Sequence, residues 1–284
     1  MLRKMILLSL AASLGMLWGC GSKSDQKSET DPQLRVTSID VGKGDCILIS
    51  KGDKNIMIDT GYEDTADKII SYMKEQGTDK LDYLIVTHYD KDHVGGAAKI
   101  AENILVDKIL LPDVEGRSCY YKALMNVISD KQISFTQVSE DISFTLGEVC
   151  FKVLASDVEY ELSGEEWNDN DISLVITAVY KKDSYLFAGD LEKDGIKSFL
   201  AKDEGSFDVI KMPHHGQNSK KTDELIEAVS PKLAVITDSN EEPAEDKVLS
   251  LLEDQKAEVY RSSVNGNITI ISNGTGQYKV TTDK

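Results

Sequence analysis

Four histidines occur in the 284-residue chain, and they fall in two tight clusters. The first, Thr87-His88-Tyr89-Asp90-Lys91-Asp92-His93-Val94-Gly95-Gly96, directly follows the apolar run Tyr83–Thr87. The second, Lys211-Met212-Pro213-His214-His215-Gly216, directly follows Val209–Lys211. Between them, Leu186-Phe187-Ala188-Gly189-Asp190 ends another apolar run on a carboxylate. Neutral imidazoles and carboxylates donate lone pairs, and strand ends hold the loops that carry them, so this is the residue chemistry of a divalent-metal site. A single histidine is ordinarily a surface or hydrogen-bonded residue. His-x-Asp-x-Asp-His-x-Gly-Gly at a strand end is a much more demanding coincidence.

The elements that must position these residues follow from the apolar pattern. Strands are expected at Leu34–Asp40, Cys46–Ser50, Asn55–Asp59, Tyr83–Thr87 and Ile109–Leu111, with Lys51-Gly52-Asp53 as a hairpin turn. Helices are expected at Ala66–Glu75, Gly96–Glu102 and Tyr121–Ile128. A strand-rich middle covers Ile133–Val138, Ile142–Leu146, Cys150–Leu154, Ser173–Tyr180 and Tyr185–Ala188. The last third alternates helices near Ile196–Leu200, Asp223–Val229 and Glu245–Leu252 with strands at Val209–Lys211, Leu233–Ile236, Glu258–Arg261, Asn267–Ser272 and Gln277–Val280. Two halves, each of strands followed by helices, predict two sheets packed face to face with helices outside, in one α/β domain spanning 34–284.

The histidine clusters resemble the metallo-β-lactamase superfamily signature His-x-His-x-Asp-His. His88, Asp92 and His93 match, and Asp90 stands where the second His would be. With Asp40-Val41-Gly42-Lys43-Gly44-Asp45 upstream and Pro213-His214-His215-Gly216 downstream, the chain is similar to the extracellular domain of ComEC-type competence proteins. Lys43 and Gln217 replace a Gln and a Ser of that pattern. The resemblance runs from Leu34 to Val280 and implies a four-layer αβ/βα sandwich. It implies a first metal held by His88 and Asp90, and a second by Asp92, His93 and either His214 or His215. Asp190 would bridge them, and Asp59 would orient ligands from behind. Asp92, Asp59 and Asp190 are thus the residues expected to serve catalysis. No histidine lies between His93 and His214, so the middle ligand has no counterpart. Asn170, in Asn168-Asp169-Asn170-Asp171-Ile172-Ser173, supplies an oxygen there, contacts substrate, or marks a polar turn before a strand. Asp45 either forms a turn or does orienting work like that of Asp59, and the acidic stretch Glu159–Asp171 reads as a solvated loop rather than a calcium site.

Two divalent ions, zinc or manganese, would activate a water for attack on a phosphoryl or carbonyl centre. Losing an imidazole makes the first position more oxygen-rich and shifts its preference from zinc toward manganese. Three carboxylates against two divalent ions leave a positive core, which favours an anionic phosphoester such as short or single-stranded DNA. Lys211 and Lys43 are candidate phosphate contacts, with solvated surface lysines as the plain alternative. The resulting expectation is a phosphodiesterase or nuclease. The alternatives are a hydrolase of small phosphoesters on envelope polymers, and a non-hydrolytic envelope-binding lipoprotein with a degraded metal site. Assistance to DNA uptake through a separate channel is a further family-level expectation.

The start of the chain is an address. Arg3 and Lys4 precede the apolar stretch Met5–Trp18, and Leu17-Trp18-Gly19-Cys20 resembles the bacterial lipobox. Residues 1–19 then form a lipoprotein signal, Cys20 a lipid anchor, and 20–33 a flexible polar tether; an uncleaved anchor helix is the alternative. Either places the domain outside the cytoplasm, at the bacterial cell membrane. With 32 basic and 49 acidic residues the chain carries −17, which argues against broad electrostatic adhesion to nucleic acid. Removing the leader takes Arg3 and Lys4 with it and makes the chain more acidic still. Cys46, Cys119 and Cys150 show no zinc-ligand spacing, and Cys46 and Cys150 read as buried small hydrophobes.

Overall fold

A computed structural model describes residues 32–158 and 169–284. The leader 1–19, Cys20, all but two residues of the tether and most of the acidic stretch before Asp169 lie outside the described residues.

Strands β1 (Leu34–Ser38), β2 (Ile47–Lys51) and β3 (Lys54–Ile58) form an antiparallel meander. Helix α1 (Ala66–Glu75), β4 (Lys80–Ile85), the one-turn helix α2 (Lys91–Val94), α3 (Ala97–Asn103), β5 (Leu105–Pro112), α4 (Cys119–Lys131) and β6 (Ser134–Val138) follow. They extend the meander with parallel strands. The second sheet begins with β7 (Ile142–Leu146), β8 (Val149–Leu154), β9 (Val175–Tyr180) and β10 (Asp183–Phe187), all antiparallel. It continues in parallel through α5 (Lys193–Ala201), β11 (Val209–Lys211), α6 (Thr222–Val229), β12 (Leu233–Ile236), α7 (Asp246–Asp254) and β13 (Glu258–Arg261). The short helix α8 (Ser262–Asn265) leads to β14 (Ile268–Ser272) and β15 (Tyr278–Thr282).

The strand orders are β15-β14-β1-β2-β3-β4-β5-β6 and β13-β12-β11-β10-β9-β8-β7. The two halves therefore do not map one to one onto the two sheets. The last two strands cross back, and β14 pairs antiparallel with β1, Val36 opposite Ile270. This covers what would otherwise be the open, apolar edge of β1.

Period-2 alternation gives each sheet two buried faces. Ile56 and Ile58 point between the sheets with Ile85 and Leu110, against Phe151, Ile176, Tyr185 and Val235 of the second sheet. Met57, Leu84, Ile109 and Leu111 point the other way, under Ile69 and Met73 of α1, Ile100 of α3 and Leu124 of α4. On the far side, Leu186, Ile210 and Ile236 meet Ile196, Phe199, Ile226 and Val248 of α5, α6 and α7. The result is the four-layer αβ/βα sandwich, with both helix layers outside. The same alternation corrects one cysteine: Val149, Phe151 and Val153 face inward along β8, so Cys150 is exposed, whereas Cys46 is buried.

Candidate metal centre

The histidine clusters meet where parallel strands of both sheets end. Asp59 directly follows β3, His88 lies three residues past β4, Asp190 three past β10, His215 four past β11, and Thr237 directly past β12. Strand β4 stops before the expected Thr87, because the Thr87 N–H goes to the Asp59 carboxylate at 2.8 Å. Asp90 caps α2, the turn of helix that carries Asp92 and His93. The two glycines that follow are steric necessities. A Cβ on Gly95 would collide with Lys91 O and come within 2.9 Å of Gly61 O, and one on Gly96 would lie 2.5 Å from Thr60 O. Their absence lets the Thr60-Gly61 loop clamp α2, with Thr60 N–H donating to His93 O at 2.8 Å.

Three imidazoles are held by their Nδ1 atoms. His93 Nδ1 donates to Asp59 Oδ2 at 2.8 Å. His215 Nδ1 lies 3.0 Å from Thr237 Oγ1, whose own proton goes to Asp45 Oδ1 at 2.6 Å. His88 Nδ1 lies 3.0 Å from Thr87 Oγ1, which donates to Asp59 Oδ2 at 2.7 Å. Since both threonine protons are committed to carboxylates, each threonine hydroxyl accepts from its imidazole, with Ser173 Oγ also 3.3 Å from His88 Nδ1, and the Nε2 atoms are the ones turned to the centre. Those atoms converge. His93 Nε2 and His215 Nε2 are 3.3 Å apart, and Asp190 Oδ2 lies 3.2 and 3.1 Å from them. His88 Nε2, fully buried, has no hydrogen-bond partner among the described residues. Imidazoles and carboxylates packed this closely in a dry site need positive charge among them, supplied by protons or by cations, and the donor set fits divalent metal.

The electrostatics express the same demand. Burial pushes His215 down, but the Asp190 charge and hydrogen bonds to Asp190, Asp45 and Asp92 carry it up to about 10. Burial likewise opposes the charge on His93, and Asp190 and Asp59 override it to hold this group well above the usual histidine range. Burial would raise Asp190, yet His215, His93 and Lys211 hold it well below the usual carboxylate value. His88 is lowered by burial and by the neighbouring His93. Asp90, desolvated and crowded by Asp169 and Asp92, rises to about 7.

Two ligand clusters result: Asp92, His93 and His215 form one, and His88, Asp90 and Asp169 the other. Asp190 approaches His93 and His88 together, which puts it between the two. Of the histidine pair, His215 enters the centre. His214 stays partly exposed at the rim, its Nδ1 3.3 Å from Glu192 Oε1. Both residues are left-handed, φ 47° and 52°, at a cost of about 1–2 kcal/mol each. Gly216 at φ 80° completes this strained turn, which aims His215 inward.

Other expectations land elsewhere. Lys211 is buried, its ammonium ion-paired with Asp45, bonded to Gly189 O at 3.2 Å and 3.6 Å from Asp190 Oδ1, and so it is a charge within the scaffold. Lys43 sits at the rim, bonded to Glu242 at 2.7 Å. Asn170 directs its amide to Glu192 Oε1 at 3.0 Å. Asp171 is no solvated loop residue: its Oδ1 accepts from Glu192 N and Gly195 N at the start of α5. Asp169 is buried, and its Oδ2 accepts from Tyr89 N at 2.8 Å.

Of the two readings of Asp45, the structure favours the orienting one over the turn: it is buried against Lys211 and Thr237, directly behind His215. The apolar residues after it were the available signal, since a carboxylate entering a buried strand needs a partner. Tyr62 was missed. It stands beside Asp92 and is pushed up to about 12 by burial and by Asp92 and Glu242. Thr237 carries no sequence signal, because its role depends wholly on two residues distant in the chain.

Comparison with known proteins agrees with this geometry. The family model described as the metallo-beta-lactamase superfamily matches residues 39–129. ComE operon protein 3 of Bacillus subtilis is 26% identical over 255 residues, covering 82% of this chain and 32% of that protein. Recombination protein 2 of Haemophilus influenzae is 26% identical over 269 residues, covering 92% of this chain and 32% of that protein. The chain thus spans about a third of the length of these relatives. Among solved structures, the metallo-beta-lactamase fold protein YhfI of Bacillus subtilis superposes with a TM-score of 0.55 at 10% identity, over 84% of this chain and all of that one. Sandwich, convergent imidazoles and relatives point the same way: the chain has the metallo-beta-lactamase fold, matches that superfamily's model over residues 39–129, and resembles ComEC-type competence proteins.

Proposed function

We propose that the chain is a metal-dependent phosphodiesterase with a binuclear centre, acting outside the cytoplasm from a lipid anchor at Cys20. The observation that carries the catalytic reading is the convergence of His93 and His215 Nε2 on Asp190, with His88 in the same donor group and the Nδ1 of each backed by a hydroxyl or carboxylate. Asp92, His93 and His215 would hold one ion, and His88 with Asp90 the other, with Asp190 between. When bound, such a pair supplies positive charge for phosphoryl oxygens and a water acidic enough to attack at neutral pH.

The chain's own groups do the rest. Asp59 orients His93 directly and His88 through Thr87, and Asp45 orients His215 through Thr237. Lys211 balances the buried charge of Asp45 and Asp190, which keeps both carboxylates ionised. Tyr62, Lys43 and His214 stand at the rim as donors for a substrate's non-reacting parts.

The acidity of the chain and the pairing of Lys43 with Glu242 support short, single-stranded or small phosphoester substrates over long duplex. A hydrolase of phosphoesters on envelope polymers is therefore a second reading of the same centre. The test is a panel of bis-p-nitrophenyl phosphate, single- and double-stranded DNA and nitrocefin, each with Zn²⁺, Mn²⁺ or no metal. Phosphodiester turnover that disappears in His93→Ala supports the proposal. Equal turnover in that variant, or turnover of nitrocefin alone, overturns it. Extraction of the wild-type protein, but not Cys20→Ala, into a detergent phase tests the anchor.

A further inference from the structure

We propose that Asp169 is a metal ligand, taking at the first metal position the place left by the absent middle histidine. The inference rests on the binuclear reading above and names the donor that completes one half of it. Asp169 is 2% exposed. A buried carboxylate needs partners; Asp169 Oδ2 accepts from the Tyr89 N–H at 2.8 Å, and its carboxyl also meets the Asp90 side chain. The Tyr89 bond also fixes its direction, since Tyr89 lies between His88 and Asp90 in the chain.

One ligand atom each from Asp169, Asp90 and His88 lies within 4.8 Å of the others. The His88 atom available is Nε2, fully buried and without a hydrogen-bond partner among the described residues, because Nδ1 is already turned to the Thr87 and Ser173 hydroxyls. Two carboxylates drawn to one imidazole nitrogen repel each other unless a proton or a cation joins them, and a metal ion satisfies the imidazole as well. Asn170, the neighbouring oxygen donor, instead turns its amide toward Glu192.

The two positions then differ in kind. Asp92, His93 and His215 offer two nitrogens and one oxygen within a buried pocket, which suits zinc. Asp169, Asp90 and His88 offer one nitrogen and two oxygens, and the Asp90 side chain is 55% exposed. That set favours a harder, more exchangeable ion such as manganese. The centre is therefore a mixed pair, with one ion held tightly and the other exchanging with solvent.

The test is metal titration of the full, chelator-stripped protein, followed by calorimetry for Zn²⁺ and electron paramagnetic resonance for Mn²⁺. Wild type should take up two ions of unequal affinity. Asp169→Asn keeps an oxygen for the Tyr89 N–H, and should weaken the looser ion by about tenfold or more while the tighter is retained. Asp169→His should turn the looser position from manganese toward zinc, and decides the matter if the amide variant fails to fold. Two ions with unchanged affinities in Asp169→Asn, or loss of the looser ion in Asn170→Ala instead, overturns the assignment and leaves the binuclear reading standing. A single ion in wild type, lost in His215→Ala but not in Asp169→Asn, overturns both.

Discussion

Asp59 Oδ2 accepts the Nδ1 proton of His93 at 2.8 Å, and the same oxygen takes the Thr87 hydroxyl at 2.7 Å. Because Thr87 Oγ1 in turn faces His88 Nδ1, one fully buried carboxylate sets the orientation of two imidazoles in different ligand clusters. Asp59→Asn keeps the shape but introduces a donor where only acceptors belong. Affinity for both ions should fall by about 10–100-fold, the usual effect of disturbing groups behind metal ligands. Parallel titrations of stripped wild-type and variant protein check this; a loss confined to one ion would mean that Asp59 serves only His93.

The Asp45–Thr237–His215 chain makes a narrower prediction. Thr237→Val is nearly isosteric but removes the hydroxyl that relays charge from Asp45 to His215 Nδ1. The ion held with His215 should weaken by about tenfold. The stripped protein should lose about 1–3 kcal/mol, because Asp45 and His215 each forfeit a buried hydrogen bond. Thr237→Ser should restore both. Denaturant melts with and without metal separate the two effects, and a Val variant equal to wild type in both would remove the relay.

Lys211 discriminates between scaffold and substrate roles. Its ammonium is buried between Asp45 and Asp190, so Lys211→Met strands two carboxylates and should cost about 3–5 kcal/mol of stability. A direct phosphate contact would instead leave stability intact and raise KM. Thermal melts alongside kinetics on bis-p-nitrophenyl phosphate tell these apart.

What the sequence revealed, and what it did not, has a physical basis in the range of each interaction. Helix Ala66–Glu75 and strands Val209–Lys211, Leu233–Ile236 and Glu258–Arg261 were legible to the residue, because apolar periodicity is a local property. The histidine motif was legible because its ligands lie on one loop and one helical turn. Asp45 stayed ambiguous and Lys211 was misread because each is explained by the other, 166 positions apart. Asp169 looked solvated within an acidic stretch, and only the packing of Tyr89 and His88 shows it buried. The return of β14 to β1 was likewise invisible, since pairing partners leave no trace in the pattern of a single strand.

Asp208 adds an acid-sensitive contribution to the fold away from the metal centre. It precedes β11 in the second sheet and accepts from Lys232 at 2.6 Å, from Ser184 N at 3.2 Å and from the Tyr278 hydroxyl of β15 in the first sheet at 2.9 Å. Burial alone would raise its carboxyl, but the bonds from Lys232, Tyr278 and Ser184 hold it below the ordinary value. A carboxylate depressed by folding stabilises the protein above its unfolded pKa, about 3.9, and that contribution disappears as pH falls through the lower folded value. Asp208→Asn should therefore melt below wild type at neutral pH, with the gap closing as both are taken below about pH 4. Scanning calorimetry of chelator-stripped protein, in which the metal ligands contribute equally to both variants, reads the gap directly. A gap that stays constant down to pH 2 would mean that the Asn variant loses packing between the sheets rather than the charge on Asp208.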